Sequence, residues 1–312
     1  MIEKENQKPL SFFDVLAFAA RYWRRQPVKL CFFTCLYITA AFVETFLPEA
    51  LSNFLKDLRL QETIPTILNS LYLFIGLSFL PFFLRFLSFL AYNRFETQLF
   101  KDLMKDAFVH VHRLSEQFFA DNFAGAIISK ITRGRTQIER FEDHIFHRIL
   151  STSVILLGSL YLLSNHFPLL SLLLGVYIIL LFVISMTLVV RIAGPAQLAY
   201  ASALDMNVAR VADNISSIAT TKAYAQEEQE ISNFADILEF VRIKNHRTYF
   251  YGNVISFTQS ALVIGMLGIL LGGGVWYFAQ GTAKVEDLAY LSLAYTIMQS
   301  YLREISFQIK DL

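Results

Sequence analysis

Four ionisable residues, Glu44, Arg85, Arg303 and Glu304, lie in stretches whose other residues suit hydrocarbon. A charge in lipid is costly, so it faces a cavity or a partner unless it reaches an interface. Glu44 therefore lines a cavity or lies near the outer interface, about 24 Å from Val28 along a helix. Glu49, further on, has the same two readings. Arg85 serves a cavity or snorkels to the nearer interface. Arg303 and Glu304 line a path or mark a helix leaving the bilayer. No nucleophile–base set is visible. His110, His112, His144 and His147 make no metal spacing. Cys31 and Cys35 stand at i,i+4, which gives poor disulfide geometry; they read as small apolar residues on a helix face.

The elements that hold these residues follow from composition. Of 312 residues, 55% are hydrophobic and 17% charged, with a mean hydropathy of +0.46. Soluble domains carry about a quarter charged residues. A helix needs roughly 20 apolar residues to cross about 30 Å of hydrocarbon, and a backbone in lipid must satisfy its own hydrogen bonds. The pattern predicts an all-α membrane protein of six spans: residues 28–51, 67–92, 149–163, 168–190, 253–278 and 288–306. A short polar linker is expected over 52–66. Residues 1–27 are set apart as an interfacial amphipathic segment with Tyr22 and Trp23 at headgroup level, ahead of the six-span domain, 28–312. No signal-peptide cleavage pattern is present. The net charge of +1 gives no argument for nucleic acid.

Two long polar segments, about 93–148 and 191–252, separate the spans on one side. Of 27 Lys and Arg, only Lys56, Arg59 and Lys284 fall in the opposite loops. The positive-inside rule then makes both segments and both termini cytoplasmic. Structureless loops of that length are uncommon. Apolar Leu99, Leu103, Ala107, Val111 and Leu114 recur at helical spacing, as do Val208, Val211, Ile215 and Ile218. Each segment is therefore expected to be a hairpin of two long helices continuing the spans into water. One tip carries Phe118, Phe119, Ala120, Asp121, Asn122, Phe123 and Gly125, an aromatic docking patch. The other, around Thr220, Thr221, Lys222, Ala223, Tyr224 and Glu227, is rich in Ser and Thr, which weakens a continuous helix. In the fifth span Gly268 and Gly272 have the spacing for close helix contact.

At these tips the sequence resembles the transmembrane domain of ATP-binding-cassette (ABC) exporters. The strings that carry the resemblance are Leu114-Ser115, Phe118-Phe119, Gly125 and Ser129-Lys130 with Ile138 and Phe141; then Asp213, Thr221-Lys222-Ala223-Tyr224 and Glu227; then Gly281 and Val285-Glu286-Asp287-Leu288. Lys130, Gly134, Asp213 and Thr221 depart from the commoner family residues.

The resemblance implies an ABC exporter fold and an ATP-driven cycle. It also implies ATPase coupling through Phe118, Phe119, Ala120, Asp121, Asn122, Gly125, Thr221, Lys222, Ala223, Tyr224 and Glu227. The substrate-pathway candidates are Glu44, Arg85, Arg303 and Glu304. No G-x-x-x-x-G-K-[ST] string occurs, so no phosphate-cradling loop of that kind is present. The chain alone is expected to bind no cofactor and hydrolyse no ATP. ATP and Mg belong on a nucleotide-binding domain, truncated here or separately encoded. The implied partners are the bilayer, that domain and a second membrane subunit, identical or not. The expected location is a bacterial plasma (inner) membrane, and the cargo a lipid, amphipathic drug or peptide. A gradient-driven transporter would instead need paired broken spans, of which Pro81 is a lone trace. A non-transporting receptor or scaffold would use the arms for partner binding alone.

Overall fold

The computed structural model describes the backbone of residues 12–121 and 124–308, and their side chains except at 120–126 and 303–308. In chain order the helices are α1 (Phe12–Trp23), α2 (Pro27–Glu44), α3 (Leu47–Arg59), α4 (Ile64–His112), α5 (Glu116–Asp121), α6 (Ala124–Asp143), α7 (Leu150–His166), α8 (Pro168–Leu188), α9 (Gly194–Ser216), α10 (Ile218–Ala223), α11 (Glu227–Ala279) and α12 (Val285–Gln308). The described residues hold no strand. Five helical stretches among them are long and apolar enough to cross a bilayer: Pro27–Arg59, Ile64–His112, Ile127–His166, Pro168–Ser216 and Glu227–Ala279. The expected sixth span, 288–306, coincides with α12, which is not among those five. The chain is thus an integral, multi-pass membrane protein.

Two compact units are present. One comprises Met1–Leu162 with Val285–Ala294, the other Leu163–Lys284 with Tyr295–Leu312. Each contains one hairpin. In the first, α4 runs for 49 residues, about 74 Å at 1.5 Å per residue. In the second, α11 runs for 53 residues, about 80 Å. These are the spans continued into water that the polar segments predicted. Pro81 sits inside α4 without ending it.

The first span differs from the single helix expected. It breaks between α2 and α3 at Thr45-Phe46, because Pro48 removes one N–H and its ring would clash with the carbonyl four residues back. The expected polar linker is mostly helix, with α3 continuing to Arg59. Each unit also contains a turn of π-helix that periodicity did not reveal, His144–Ile149 between α6 and α7 and Val189–Ala193 between α8 and α9. Both lie where an arm meets its apolar run.

Close packing in the fifth span falls beside the glycines singled out, not on them. A Cβ on Gly268 or Gly272 would meet nothing within 4 Å. A Cβ on Gly265 would strike the Tyr177 hydroxyl, and one on Gly273 the Leu170 side chain at 2.6 Å. Tyr177 reaches across because its hydroxyl donates to the Leu262 carbonyl, 2.6 Å away. The α11–α12 turn requires Gly281, whose φ is +74° and which an L side chain would strain.

Candidate functional site

Both hairpins end in a short helix. At the first tip α4 stops at His112 and six-residue α5 follows. Phe118 and Phe119 stand edge to face, ring centroids 5.7 Å apart, and Phe119 keeps 42% of its surface exposed. Asn122 and the side chains of Ala120, Asp121 and Gly125 lie outside the described residues. At the second tip α9 stops at Ser216, where serine hydroxyls share its last carbonyls. Ser216 donates to Ala212 and Ser217 to Asp213, at 2.6 and 2.8 Å, the local competition that unwinds helices.

Six-residue α10 then carries Thr221, Lys222 and Ala223. Tyr224 beyond it is 74% exposed, and Glu227 opens α11 together with Glu228 and Glu230. Ala225, at φ +49°, closes this tip in a conformation that costs a non-glycine residue about 1–2 kcal/mol. Below the tips, Leu99 and Leu103 of the first stripe are buried, whereas Val208, Val211, Ile215 and Ile218 of the second are all exposed.

Two of the four charges expected in apolar stretches come together. Arg85 of α4 is hydrogen-bonded to the Glu44 carboxylate at the end of α2, both partly buried. Pairing answers the cost of each in lipid, and periodicity could not have found it because 41 residues separate them. The side chains of Arg303 and Glu304 lie outside the described residues. On the opposite side of the apolar band, Arg59 holds Glu286 with two hydrogen bonds, 3.0 and 2.9 Å. This paired geometry is the stronger form of such contacts. Glu286 is 5% exposed, so the start of α12 is anchored to the end of α3. Glu49 adds negative charge beside buried Tyr290. In α11, Gln259 is 1% exposed and neither atom of its amide has a partner among the described residues. An amide in a charge-free run is the signal the sequence carries for it.

The root of the first hairpin is a closed knot. Phe33 packs on Tyr92, Phe95 and Phe146, with centroids 5.1–5.3 Å apart. Tyr22 belongs to this cluster and Trp23 packs against it. The turn after α1 folds it back against α4, where Arg25 bonds Asp106 at 2.8 Å and holds that carboxyl below its ordinary range. The Trp23 indole donates to Glu142 at 2.5 Å. Glu142 is fully buried, below the apolar run that begins at residue 149. Burial pushes its carboxyl up to about 7, against the indole hydrogen bond, with Glu96, Asp143 and Glu139 adding negative charge nearby. Under α1 lies an apolar cavity of about 740 Å³, walled by Phe18, Leu103, Met104, Ile131 and Ile138.

Known proteins share this arrangement. The ABC transporter transmembrane region family matches residues 30–302. An uncharacterized ABC transporter ATP-binding protein of Bacillus subtilis (strain 168), YknV, is 24% identical over 213 residues, covering 68% of this chain and 35% of the relative. The solved structure of a bacterial Atm1-family ABC exporter with ATP bound superposes with a TM-score of 0.75 at 17% identity, over 92% of this chain and 50% of that one. The chain thus spans about a third of the first relative's length and half of the second's. Long apolar helices, two helical hairpins with short helices at their tips and a family match over nearly the whole length lead to one assignment: this chain belongs to the ABC transporter transmembrane region family.

Proposed function

We propose that this chain is the membrane-spanning part of an ATP-driven exporter, forming the substrate path and coupling it to a nucleotide-binding domain. The observation that carries the reading is the pair of isolated six-residue helices, α5 and α10, one at each tip. Each displays an exposed aromatic beside it, Phe119 and Tyr224. Large aromatics on small convex elements suit anchoring into a pocket on a partner. Phe118, Phe119, Thr221, Lys222, Ala223, Tyr224 and Glu227 are the coupling residues in this reading, and both tips face the cytoplasm. Closure of ATPase domains there would swing α4 and α11 as levers and switch the bundle between two packings.

A second subunit completes the path. The exposed stripe Val208, Val211, Ile215 and Ile218 supports a partner helix there, from an identical or different chain. Glu44 and Arg85 line the path as a polar pair in an otherwise apolar wall. The apolar character of the spans suits lipidic or amphipathic cargo.

The test is capture of a nucleotide-binding domain by the detergent-solubilised chain. Phe119→Asp should weaken capture by about thirtyfold, the loss of one interface anchor. Undiminished capture would remove the coupling assignment.

A further inference from the structure

The second hairpin opens at its root into a cavity of about 410 Å³ that the export cycle above does not use. Arg191, Lys244 and Arg247 line it, together with Tyr251 and small Ala196 and Ala199. No carboxylate lines it. Among the described residues none of the three cations forms an ion pair. Three like charges lining one concavity repel one another, so such a cluster without an acid suits an anion.

The cavity is held in shape. The Thr248 hydroxyl donates to the Ala196 carbonyl at 3.1 Å and ties α11 to α9. Two nitrogens of the Arg247 guanidinium donate to the Tyr251 hydroxyl, each at 3.1 Å. That leaves the phenol proton free to point at a ligand. Lys244 is steadied over the Phe240 ring, 5.0 Å from its centroid. Arg191 sits in the π turn Val189–Ala193, a local rewinding frequent at functional sites.

Depth bears on the anion. Arg191 is the first residue past the apolar run 168–190, and Tyr251 lies two residues before the run that starts at 253. At 1.5 Å per residue, the cavity spans from about 2 to 14 Å outside the hydrocarbon. Headgroups occupy the first 5–8 Å or so of that range, so Arg191 and Tyr251 stand among them and Arg247 and Lys244 just beyond. Basic pockets between helices near the membrane surface are suited to phosphate headgroups.

We propose that Arg191, Lys244, Arg247 and Tyr251 form a binding site for the phosphate of an acidic lipid in the leaflet from which the hairpins project. The guanidinium groups of Arg191 and Arg247 take the phosphate oxygens, as such groups do best. Lys244 contributes a point charge and Tyr251 one hydrogen bond. The inference rests on the chain spanning the bilayer and is independent of what it transports or which ATPase drives it.

The test uses the full chain in phosphatidylcholine nanodiscs containing a minor fraction of phosphatidylglycerol, with retained lipid read by native mass spectrometry. The double variant Arg191→Ala/Arg247→Ala should lower phosphatidylglycerol affinity about thirtyfold, two charges at the lipid surface. Ala199→Leu, which keeps every charge and takes up space in the cavity, should also displace the lipid. The control Lys29→Ala/Arg94→Ala removes two exposed cations near span ends outside the cavity and should leave retention unchanged. Equal loss in the control would reduce the effect to diffuse surface attraction and overturn the site. Full retention in both cavity variants would overturn it as well. Inorganic phosphate that displaces phosphatidylglycerol, or binds as tightly in discs of phosphatidylcholine alone, would make this a soluble-phosphate site and overturn the lipid assignment.

Discussion

The first hairpin is rooted in a closed knot of aromatic rings and one buried acid, Phe33, Tyr92, Phe146, Trp23 and Glu142. The second is rooted around an open cavity lined by Arg191, Lys244 and Arg247. Length and plan are alike, a continuous helix paired with one interrupted by a π turn. The difference lies in what lines the root. Helix α1 packs over the first, on a cluster of rings and above an apolar cavity, whereas cations line the cavity of the second. An arm rooted in packed rings is fixed by packing. An arm that leaves cations facing a gap is open to adjustment by whatever the membrane supplies.

Cutting into each root by the same chemistry puts that contrast at greatest risk. Phe33→Ala empties a fully enclosed ring site and should cost about 3–5 kcal/mol, seen as a lowered thermal midpoint in detergent. Phe250→Ala, at an exposed position by the second root, should fall within about 0.5 kcal/mol. Comparable losses at the two sites would end the contrast.

A smaller effect is expected from the buried acid, and its sign is fixed. The carboxyl of Glu142 titrates at about 7 when folded and near 4.3 when unfolded. The folded chain therefore holds the extra proton between those values. Stability is greatest below the unfolded value and falls as pH rises through 7, by on the order of 3 kcal/mol. Glu142→Gln should abolish that slope while keeping an acceptor for Trp23. Indole fluorescence of Trp23, followed across pH 5–8 or so in a Trp276→Phe background, would report it; an unchanged slope in the variant would assign the pH response elsewhere.

The least effect belongs to the second hairpin's arms. Arg210 and Glu230 pair across them at 2.8 Å, both about a third exposed. Glu230→Ala should cost under about 1 kcal/mol, measured as faster hydrogen exchange near the tip. A larger loss would mean that the second arm too is held by the chain itself.

Much of this contrast was legible in residue order. Leu99 and Leu103 predicted the buried face of α4, and the Ser/Thr run predicted the break at Ser217. Pro48 carried the signal for the interruption of the first span, yet the apolar run around it outweighed one residue. Other features depend on which distant residues meet. Glu44 with Arg85, Arg59 with Glu286, and Trp23 with Glu142 are separated by 41, 227 and 119 residues, and local periodicity carries no record of such pairings. Arg191 and Arg247 were visible only as charges marking one side of the membrane. Their convergence needs the third dimension.

The two π turns have one further consequence. Each closes with an amide bonding five residues back, Leu150 to Ile145 and Gly194 to Val189. One residue is thereby inserted relative to α-helical winding, which shifts the wheel by about 100°. Residues above and below such a turn that a helical wheel would align do not share a face. A substitution scan along either interrupted rod should change phase there, while scans of α4 and α11 keep step from end to end. Deleting a single residue inside a π turn would bring the two segments back into phase, and so rotate the outer half of the rod against everything packed on the inner half.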